Sequence, residues 1–362
     1  MQWSFKLGKI FGINFRIHIT FLLLLIFIFM AGLPRRGAEG ALMGVLFVCA
    51  IFGCVLVHEL GHSLIARRFG IEAKNITLLP IGGVSSIEEM PESPAQEIAI
   101  SIVGPFINLV IAAALYLFLG RWSGVVITTL YPASTQELFT ALIGTNVILA
   151  VFNLIPAFPM DGGRVLRGIL ALKLDFYRAT STAVFIGQGF SLFFIFYGLF
   201  FNWWLSLIGI FLLIGAGGEK QQVLLKTVLH GVRAKDVMAP DFHSLQMDDP
   251  VAKALEHIYH GCQEDFPVLG EKGIAGVLTR MAILSAIHDR GTGVPVSEVM
   301  DRNFHCVDTE TPLDEVYKYL RSHDKTTMPV LENDRLKGML SLDGISRYLM
   351  VQSALKKEDE GT

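Results

Sequence analysis

Residues 46–66 read LFVCAIFGCVLVHELGHSLIA, and this stretch decides what kind of fold the chain can adopt. It is long enough to cross a bilayer as a helix, because a span needs roughly 20 mainly apolar residues. Its only acidic, basic or imidazole side chains are those of His58, Glu59 and His62. Such groups are costly at membrane depth unless they pair, bind a metal or face water. The stretch therefore predicts a membrane span that carries chemistry.

The spacing of the two histidines favours a metal site. His58 and His62 are four residues apart, so both imidazoles leave the same face of a helix. This H-E-x-x-H spacing suits two nitrogen ligands of one zinc ion. Glu59 lies beside them and could take a proton from a zinc-bound water. A solvated helix face is the alternative for such a motif in a soluble protein, and the apolar setting here favours the metal site.

The composition of the whole chain agrees with a membrane protein. Of its 362 residues 52% are apolar, and the mean hydropathy is +0.51, which excludes a mainly disordered or collagen-like chain. We predict a polytopic α-helical membrane protein with a C-terminal α/β soluble part. The long apolar runs give six candidate spans, at residues 17–33, 41–66, 98–119, 138–157, 181–201 and 203–218.

Charge separates the chain into two parts. Up to residue 217 there are 13 basic and 10 acidic residues, net +3, and the remainder has 17 and 23, net -6, which together give the total of -3. A net charge this small gives no argument for nucleic acid as a partner. The four cysteines form no C-x-x-C pair, so neither a thiolate zinc site nor a disulfide framework is predicted.

The basic residues predict the orientation in the membrane. Six spans leave seven flanking segments. When the last segment is counted only up to Lys235, alternate segments carry 14 and 3 Lys or Arg residues respectively. Because basic residues are enriched on the cytoplasmic side, we expect a multi-pass protein of the cell membrane with both termini and the soluble tail in the cytoplasm. The lipid bilayer is then its surrounding partner.

A second polar segment ends the fourth candidate span. Residues 153–164 read NLIPAFPMDGGR, in which Pro156 and Pro159 prevent a regular helix. A catalytic zinc usually takes three protein ligands, so a third ligand is expected from another span. Asp161 is the carboxylate of this segment and is the candidate. A solvated Asp161 in a surface loop is the alternative.

The combination of motifs resembles the site-2 protease family of intramembrane zinc metalloproteases. H-E-L-G-H is followed by N-x-x-P-x-x-P-x-D-G-G, and residues 104–108 are similar to the family's G-P-x-x-N segment. The resemblance covers residues 1–218. It implies that His58, His62 and Asp161 bind one catalytic zinc ion and that Glu59 is the catalytic base.

The same resemblance assigns a role to Asn153, which would help to position the substrate or stabilise the oxyanion. A helix–helix hydrogen bond is its alternative role. Gly104 and Asn108 are interpreted as residues of close helix packing. The implied activity is cleavage of transmembrane segments in single-span membrane-protein substrates, at non-helical stretches. A membrane transporter or channel with a regulatory tail, in which the same side chains line an ion path, is the alternative function.

Residues 71–92 are too short and too polar for another span. Leu78-Leu79-Pro80-Ile81-Gly82-Gly83-Val84 is followed by Glu88, Glu89 and Glu92. We expect a hairpin or a re-entrant loop here, with an edge that could pair with an extended substrate.

The soluble tail repeats itself at an offset of 62 residues. Phe266-Pro267-Val268 aligns with Met328-Pro329-Val330, and Gly276-Val277-Leu278-Thr279 aligns with Gly338-Met339-Leu340-Ser341. The repeats resemble a tandem pair of CBS domains. The predicted domains are a membrane metalloprotease domain at 1–218, a linker at 219–231, CBS domains at 232–290 and 295–351, and a frayed tail at 352–362.

The resemblance to CBS domains implies an adenine nucleotide as a second ligand and a homodimer through the pair. The family commonly places an aspartate three residues after the Thr or Ser that ends the last strand. Here these positions hold Ala282 and Gly344, and Asp343 comes one place early. A purely structural or dimerising module is therefore the alternative to a nucleotide-binding one.

Overall fold

The computed structural model describes residues 3–80, 82–87, 93–119, 130–260, 263–271 and 273–360. The chain divides into two compact units, Met1–Gln221 and Gln222–Thr362. The first unit holds the long apolar helices and the second holds the repeats.

Unit 1 combines helices with one four-stranded sheet. Its helices are α1 (Ile19–Arg68), α2 (Pro94–Leu119), α3 (Thr135–Asn153), α4 (Asp161–Ala171), α5 (Phe176–Phe201) and α6 (Trp203–Leu229), the last of which continues past the unit boundary. Its strands are β1 (Ser4–Ile10), β2 (Ile13–His18), β3 (Ala73–Leu79) and β4 (Gly82–Ile87). In the described part of the chain, α1, α2, α3, α5 and α6 are long and apolar enough to cross a membrane.

Helix α1 contains two of the six predicted spans. It is interrupted at Gly37, whose φ of 69° and ψ of -174° are not helical. The two halves fold back on each other. Phe21 of the first half and Phe52 of the second are in ring contact, with their centroids 4.6 Å apart. Pro34 precedes the break and weakens the helix there. The prediction of a multi-span helical membrane part is confirmed.

The sheet packs against the second half of α1. Ile13, Phe15 and Ile76 form a buried cluster with Leu56 and Leu60 of the helix. The strands lie in the order β1-β2-β3-β4, so β4 is an edge strand of the sheet. The expected hairpin within 71–92 is present as the antiparallel pair β3–β4, and residues 81 and 88–92 lie outside the described part of the chain.

The segment between α3 and α4 is not helical. We expected the fourth span to end at residue 157, but α3 ends at Asn153 because Pro156 disfavours a helical residue before it. Small residues on the neighbouring helices make room for this turn. A β-carbon at Gly187 of α5 would lie 3.0 Å from the Cα of Ala157, and one at Gly215 of α6 would lie 2.6 Å from the Cδ of Pro159. The turn is therefore enclosed by α5 and α6.

Unit 2 contains two copies of one α/β pattern. The first copy comprises α7 (Ala234–Val237), β5 (Leu245–Gln246), α8 (Val251–His260), β6 (Phe266–Gly270), β7 (Gly273–Leu278) and α9 (Arg280–Arg290). The second comprises a 3-10 turn (Val296–Glu298), β8 (Val307–Asp308), α10 (Leu313–Ser322), β9 (Thr327–Glu332), β10 (Arg335–Ser341) and α11 (Leu342–Glu360). Each copy has its own three-stranded sheet and its own buried core.

The two copies are joined reciprocally. Val277 of the first copy bridges to Asp301 of the second, and Met339 bridges to Ala239. These two bridges are related by the 62-residue offset seen in the sequence, so they are the same contact made twice. The predicted α/β repeat pair is thereby confirmed. Two segments have more helix than we expected, since α6 runs through the expected linker to Leu229 and α11 runs into the expected frayed tail.

Candidate metal centre

The two histidines of the H-E-x-x-H motif face one point inside unit 1. His58 and His62 lie in the second half of α1 and are only 5% and 6% exposed. Their Nε2 atoms are 3.1 Å apart. The four-residue spacing places both rings on one face of the helix, as the sequence predicted.

Asp161 completes the cluster from another part of the chain. It is the first residue of α4, and its Oδ2 lies 3.3 Å from the Nε2 atom of each histidine. The three ligand atoms therefore form a nearly equilateral triangle. A tetrahedral ion with bonds of about 2.0–2.1 Å holds its ligand atoms about 3.3 Å apart, so the donor set and its spacing fit zinc. This His–His–Asp group could hold one metal ion.

A backbone carbonyl orients one of the imidazoles. His62 Nδ1 donates to the carbonyl oxygen of Ile100 in α2 at 2.6 Å, which leaves Nε2 directed at the cluster. Metal-ligating histidines usually donate their second nitrogen in this way. For His58, no hydrogen-bond partner of Nδ1 is found among the described residues.

Gly104 of α2 leaves the space that the cluster occupies. A β-carbon there would lie 2.3 Å from His62 Nε2 and 2.6 Å from His58 Nε2. We interpreted Gly104 as a packing residue, and its neighbours are the two candidate ligands rather than an ordinary helix face. The G-P-x-x-N resemblance marked this position, but one sequence cannot tell which atoms a glycine approaches.

Glu59 lies beside the edge strand of the sheet. A β-carbon at Gly83 in β4 would lie 2.6 Å from Glu59 Cγ and 3.4 Å from Glu59 Oε1. Glu59 is partly buried, next in sequence to His58. The edge strand, the candidate base and the candidate metal site are thus neighbours.

Asn153 lies at the end of α3, before the turn that leads to Asp161. Its side chain is partly buried. Within the described ranges no hydrogen bond joins it to the three candidate ligands. The role that the sequence assigned to Asn153 therefore remains a prediction.

A separate cleft lies between the repeats of unit 2. Thr279, His305 and Tyr319 line it, together with the ion pair of Lys325 and Asp301. Burial alone would raise the pKa of Asp301, but the Lys325 ammonium and the backbone N–H of Asn303 outweigh it and hold the pKa below its usual range. The rings of His305 and Tyr319 are stacked, with centroids 4.8 Å apart.

The hydroxyl groups of Thr279 and Ser341, at the ends of β7 and β10, make local hydrogen bonds. Thr279 accepts from the backbone N–H of Ala282 at 3.2 Å, and Ser341 accepts from that of Gly344 at 3.0 Å. The two residues that replace the family's aspartate thus lie in the first turns of α9 and α11. Neither of them brings a carboxylate to the cleft.

Several apolar helices, a buried His–His–Asp cluster and a neighbouring glutamate together define a multi-pass membrane metalloprotease. Comparison with known proteins agrees. The profile of Peptidase family M50 matches residues 46–130 and 121–194, and that of the CBS domain matches residues 234–289 and 296–351.

Related proteins extend this match over the full chain. Zinc metalloprotease MJ0392 of Methanocaldococcus jannaschii is 32% identical over 364 residues, which cover 99% of both chains. Stage IV sporulation protein FB of Bacillus subtilis is 33% identical over 126 residues, which cover 34% of this chain and 40% of that protein. The solved structure of a site-2 protease from Methanocaldococcus jannaschii is 35% identical, with a TM-score of 0.44, and covers 60% of this chain and 95% of that one.

The chain belongs to the site-2 protease family of zinc metalloproteases, Peptidase family M50, and carries a tandem pair of CBS domains. It is therefore an enzyme, and the alternative of a transporter or channel is set aside.

Proposed function

We propose that the protein is an endoprotease that cleaves transmembrane segments of membrane-protein substrates inside the bilayer. The observation that carries this proposal is the triangle of His58, His62 and Asp161 within the apolar unit. These three residues would hold one zinc ion. Zinc bound there would supply the Lewis-acid chemistry that polarises a peptide carbonyl and makes hydrolysis feasible at neutral pH.

Glu59 is the proposed general base. It takes a proton from the attacking water and passes that proton to the leaving amine as the peptide bond breaks. Its place next to His58 brings it within reach of a carbonyl held at the cluster, and the close approach of Gly83 limits where its carboxylate can lie. Asn153 is proposed to hold the substrate or its oxyanion.

The substrate is proposed to bind as an extended strand. Helical carbonyls are already hydrogen-bonded, so the segment to be cut must unwind first. The outer edge of β4 offers backbone groups to such a segment, and Gly83 of this strand lies against Glu59. A substrate with helix-weakening residues near its cut site should be cleaved faster than one with strong helix formers there.

We propose that both termini and the CBS pair lie in the cytoplasm, because alternate flanking segments, counted up to Lys235, carry 14 and 3 basic residues. His62 lies five residues before Arg67, or about 7.5 Å along a helix. The cluster is then close to the cytoplasmic boundary, from which water can reach it.

The decisive experiment replaces the base without touching the ligands. Full-length Glu59→Gln protein is reconstituted in vesicles with a synthetic single-span peptide that has Gly and Asn at its centre. We expect zinc content to be retained, whereas cleavage falls by about 10²–10⁴-fold. Asp161→Asn, in contrast, should lose zinc in addition to cleavage. Glu39→Gln, an exposed glutamate on the same helix, is the matched control. Full activity of Glu59→Gln would remove the proposal.

The CBS pair is proposed to regulate the protease by binding an adenine nucleotide in the cleft of unit 2. Lys325 offers a cation to a phosphate, and the His305–Tyr319 stack offers ring surface to a base. Titration of the full-length protein with ATP and AMP by calorimetry, together with cleavage rates, tests this proposal. If a nucleotide binds with measurable heat but the cleavage rate does not change, the pair binds nucleotide without regulating the protease, and the proposal of regulation is rejected.

A further inference from the structure

A buried arginine follows Asp161 on the same helix. Arg167 lies six residues further along α4 and is 1% exposed. Its Nε donates to Oε1 of Glu97 at 2.8 Å, and its Nη1 donates to Oε1 of Glu219 at 2.7 Å. A charge buried to this extent is costly without partners, so these two carboxylates compensate the guanidinium.

The guanidinium of Arg167 also contacts one aromatic ring before α4 and one after it. Its Cζ lies 5.1 Å from the ring centroid of Phe158 and 5.0 Å from that of Phe176. Phe158 is fully buried and belongs to the turn that leads to Asp161, whereas Phe176 begins α5. Arg167 therefore fixes the turn before Asp161 as well as the helix that Asp161 begins.

The ion pair of Arg167 with Glu97 connects α4 to the part of α2 that contacts His62. Glu97 lies in the first turn of α2 and is 3% exposed. Three residues later, the carbonyl of Ile100 accepts the hydrogen bond from His62 Nδ1. Arg167 thus holds the segment that carries Asp161 against the segment that orients His62.

We propose that Arg167 is a positioning residue of the metal centre, which sets the separation of Asp161 from His62 through its pair with Glu97. This inference rests on the proposed function, because it takes His58, His62 and Asp161 to be the metal ligands. Glu219 lies on α6 and contacts the opposite side of the guanidinium, so it compensates charge without contributing to the link between α4 and α2.

The experiment measures metal binding rather than turnover. Full-length protein in detergent is freed of metal and titrated with Co²⁺, whose absorption reports both affinity and ligand geometry. The variants are Arg167→Met, which keeps most of the side-chain length without the charge, and Arg167→Lys, which keeps the charge without the planar guanidinium group. Arg178→Met is the matched control, since Arg178 is on α5 and its ion pair with Asp175 is exposed.

We expect Arg167→Met to weaken Co²⁺ binding by about 10–100-fold, the range seen when supports of metal ligands are removed. Arg167→Lys should recover part of that loss and change the absorption spectrum, because it cannot bond to Glu97 in the same geometry. Arg178→Met should bind as the unmodified protein does. Equal affinities for Arg167→Met and the control would overturn the proposal.

Two further variants keep the test valid if Arg167→Met does not fold. Glu97→Gln breaks the link to α2, and Glu219→Gln leaves that link intact. The proposal requires weaker Co²⁺ binding in Glu97→Gln than in Glu219→Gln, and it fails if the two are equal or reversed. Failure of the underlying function is distinguishable, because unmodified protein and Asp161→Asn would then bind Co²⁺ equally.

Discussion

Gly104 stands where a side chain would collide with His62: a β-carbon built on it would be 2.3 Å from His62 Nε2. The same β-carbon would be 2.6 Å from His58 Nε2. Real β-carbons do not approach other atoms so closely, and the atoms involved are candidate ligand atoms in a packed interior. The absence of a side chain at Gly104 thus leaves the space that the candidate ligands His58 and His62 occupy.

Gly104→Ala should therefore damage the metal centre while preserving the helix. Alanine is the better helix former, so the backbone of α2 tolerates the change. The imidazoles must move away from the new methyl group, and we expect zinc affinity to fall by at least about 10-fold. Competition with a fluorescent zinc chelator measures this change in the full-length protein.

Gly53→Ala is the control for this substitution. Gly53 lies in α1, and a β-carbon on it would meet no atom within 4 Å. It should leave zinc affinity unchanged and stabilise the helix slightly. If Gly104→Ala also binds zinc normally, the close approach has no part in metal binding.

Gly83→Ala should separate catalysis from metal binding. The added methyl would lie 2.6 Å from Glu59 Cγ, so the glutamate side chain must shift, whereas His58, His62 and Asp161 need not move. A displacement of about 1 Å at a catalytic group can lower the rate by about 100-fold. We expect zinc content to be normal and kcat to fall, as measured on the single-span peptide. Loss of zinc, or an unchanged kcat, would contradict the placement of Glu59.

The sequence was sufficient to predict the class of fold, and it also predicted which polar side chains lie together. His58 and His62 could be paired because a helix places residues four apart on one face, and Asp161 could be proposed because apolar surroundings make a carboxylate conspicuous. The offset of 62 residues likewise predicted a duplicated unit, and the bridges Val277–Asp301 and Ala239–Met339 repeat it.

What the sequence did not contain were distances between remote segments. Gly83 and Gly104 matter because strand β4 and helix α2 come close to α1, and no local pattern encodes that approach. Strands β1 and β2 were also missed. β1 is mostly exposed and therefore carries little alternating burial. The partners of Arg167 come from α2 and α6, so its role too depended on the three-dimensional arrangement.

The Asp301–Lys325 pair predicts a pH dependence of the stability of unit 2. Because the pKa of Asp301 is lower in the folded than in the unfolded protein, its ionised form stabilises the fold above the unfolded pKa of about 3.9. This contribution is lost as the pH falls through the lower, folded pKa. Both side chains are about one-third exposed, so solvent screening limits the effect to about 0.5–1 kcal/mol.

Hydrogen exchange of the full-length protein, corrected for intrinsic rates, measures this effect. Asp301→Asn should lower the free energy of unfolding of unit 2 at pH 7. The difference from the unmodified protein should shrink, and then vanish, as the pH falls through the folded pKa of Asp301. A difference that stays constant across this range would mean that Asp301 acts by packing and not by charge.

The same ion pair should compete with a bound nucleotide. Lys325 is the cation of the cleft that is nearest to Asp301, and a phosphate placed there must share the ammonium with that carboxylate. Asp301→Asn removes the competitor, so we expect ATP to bind the full-length protein more tightly, by about 2–5-fold for a partly exposed charge. Lys325→Met should have the opposite effect. Asp314→Asn is the control, because Asp314 pairs with Lys318 on α10 and this ion pair is more exposed than that of Asp301. Weaker ATP binding in Asp301→Asn would show that Asp301 holds the cleft in shape instead of competing for Lys325.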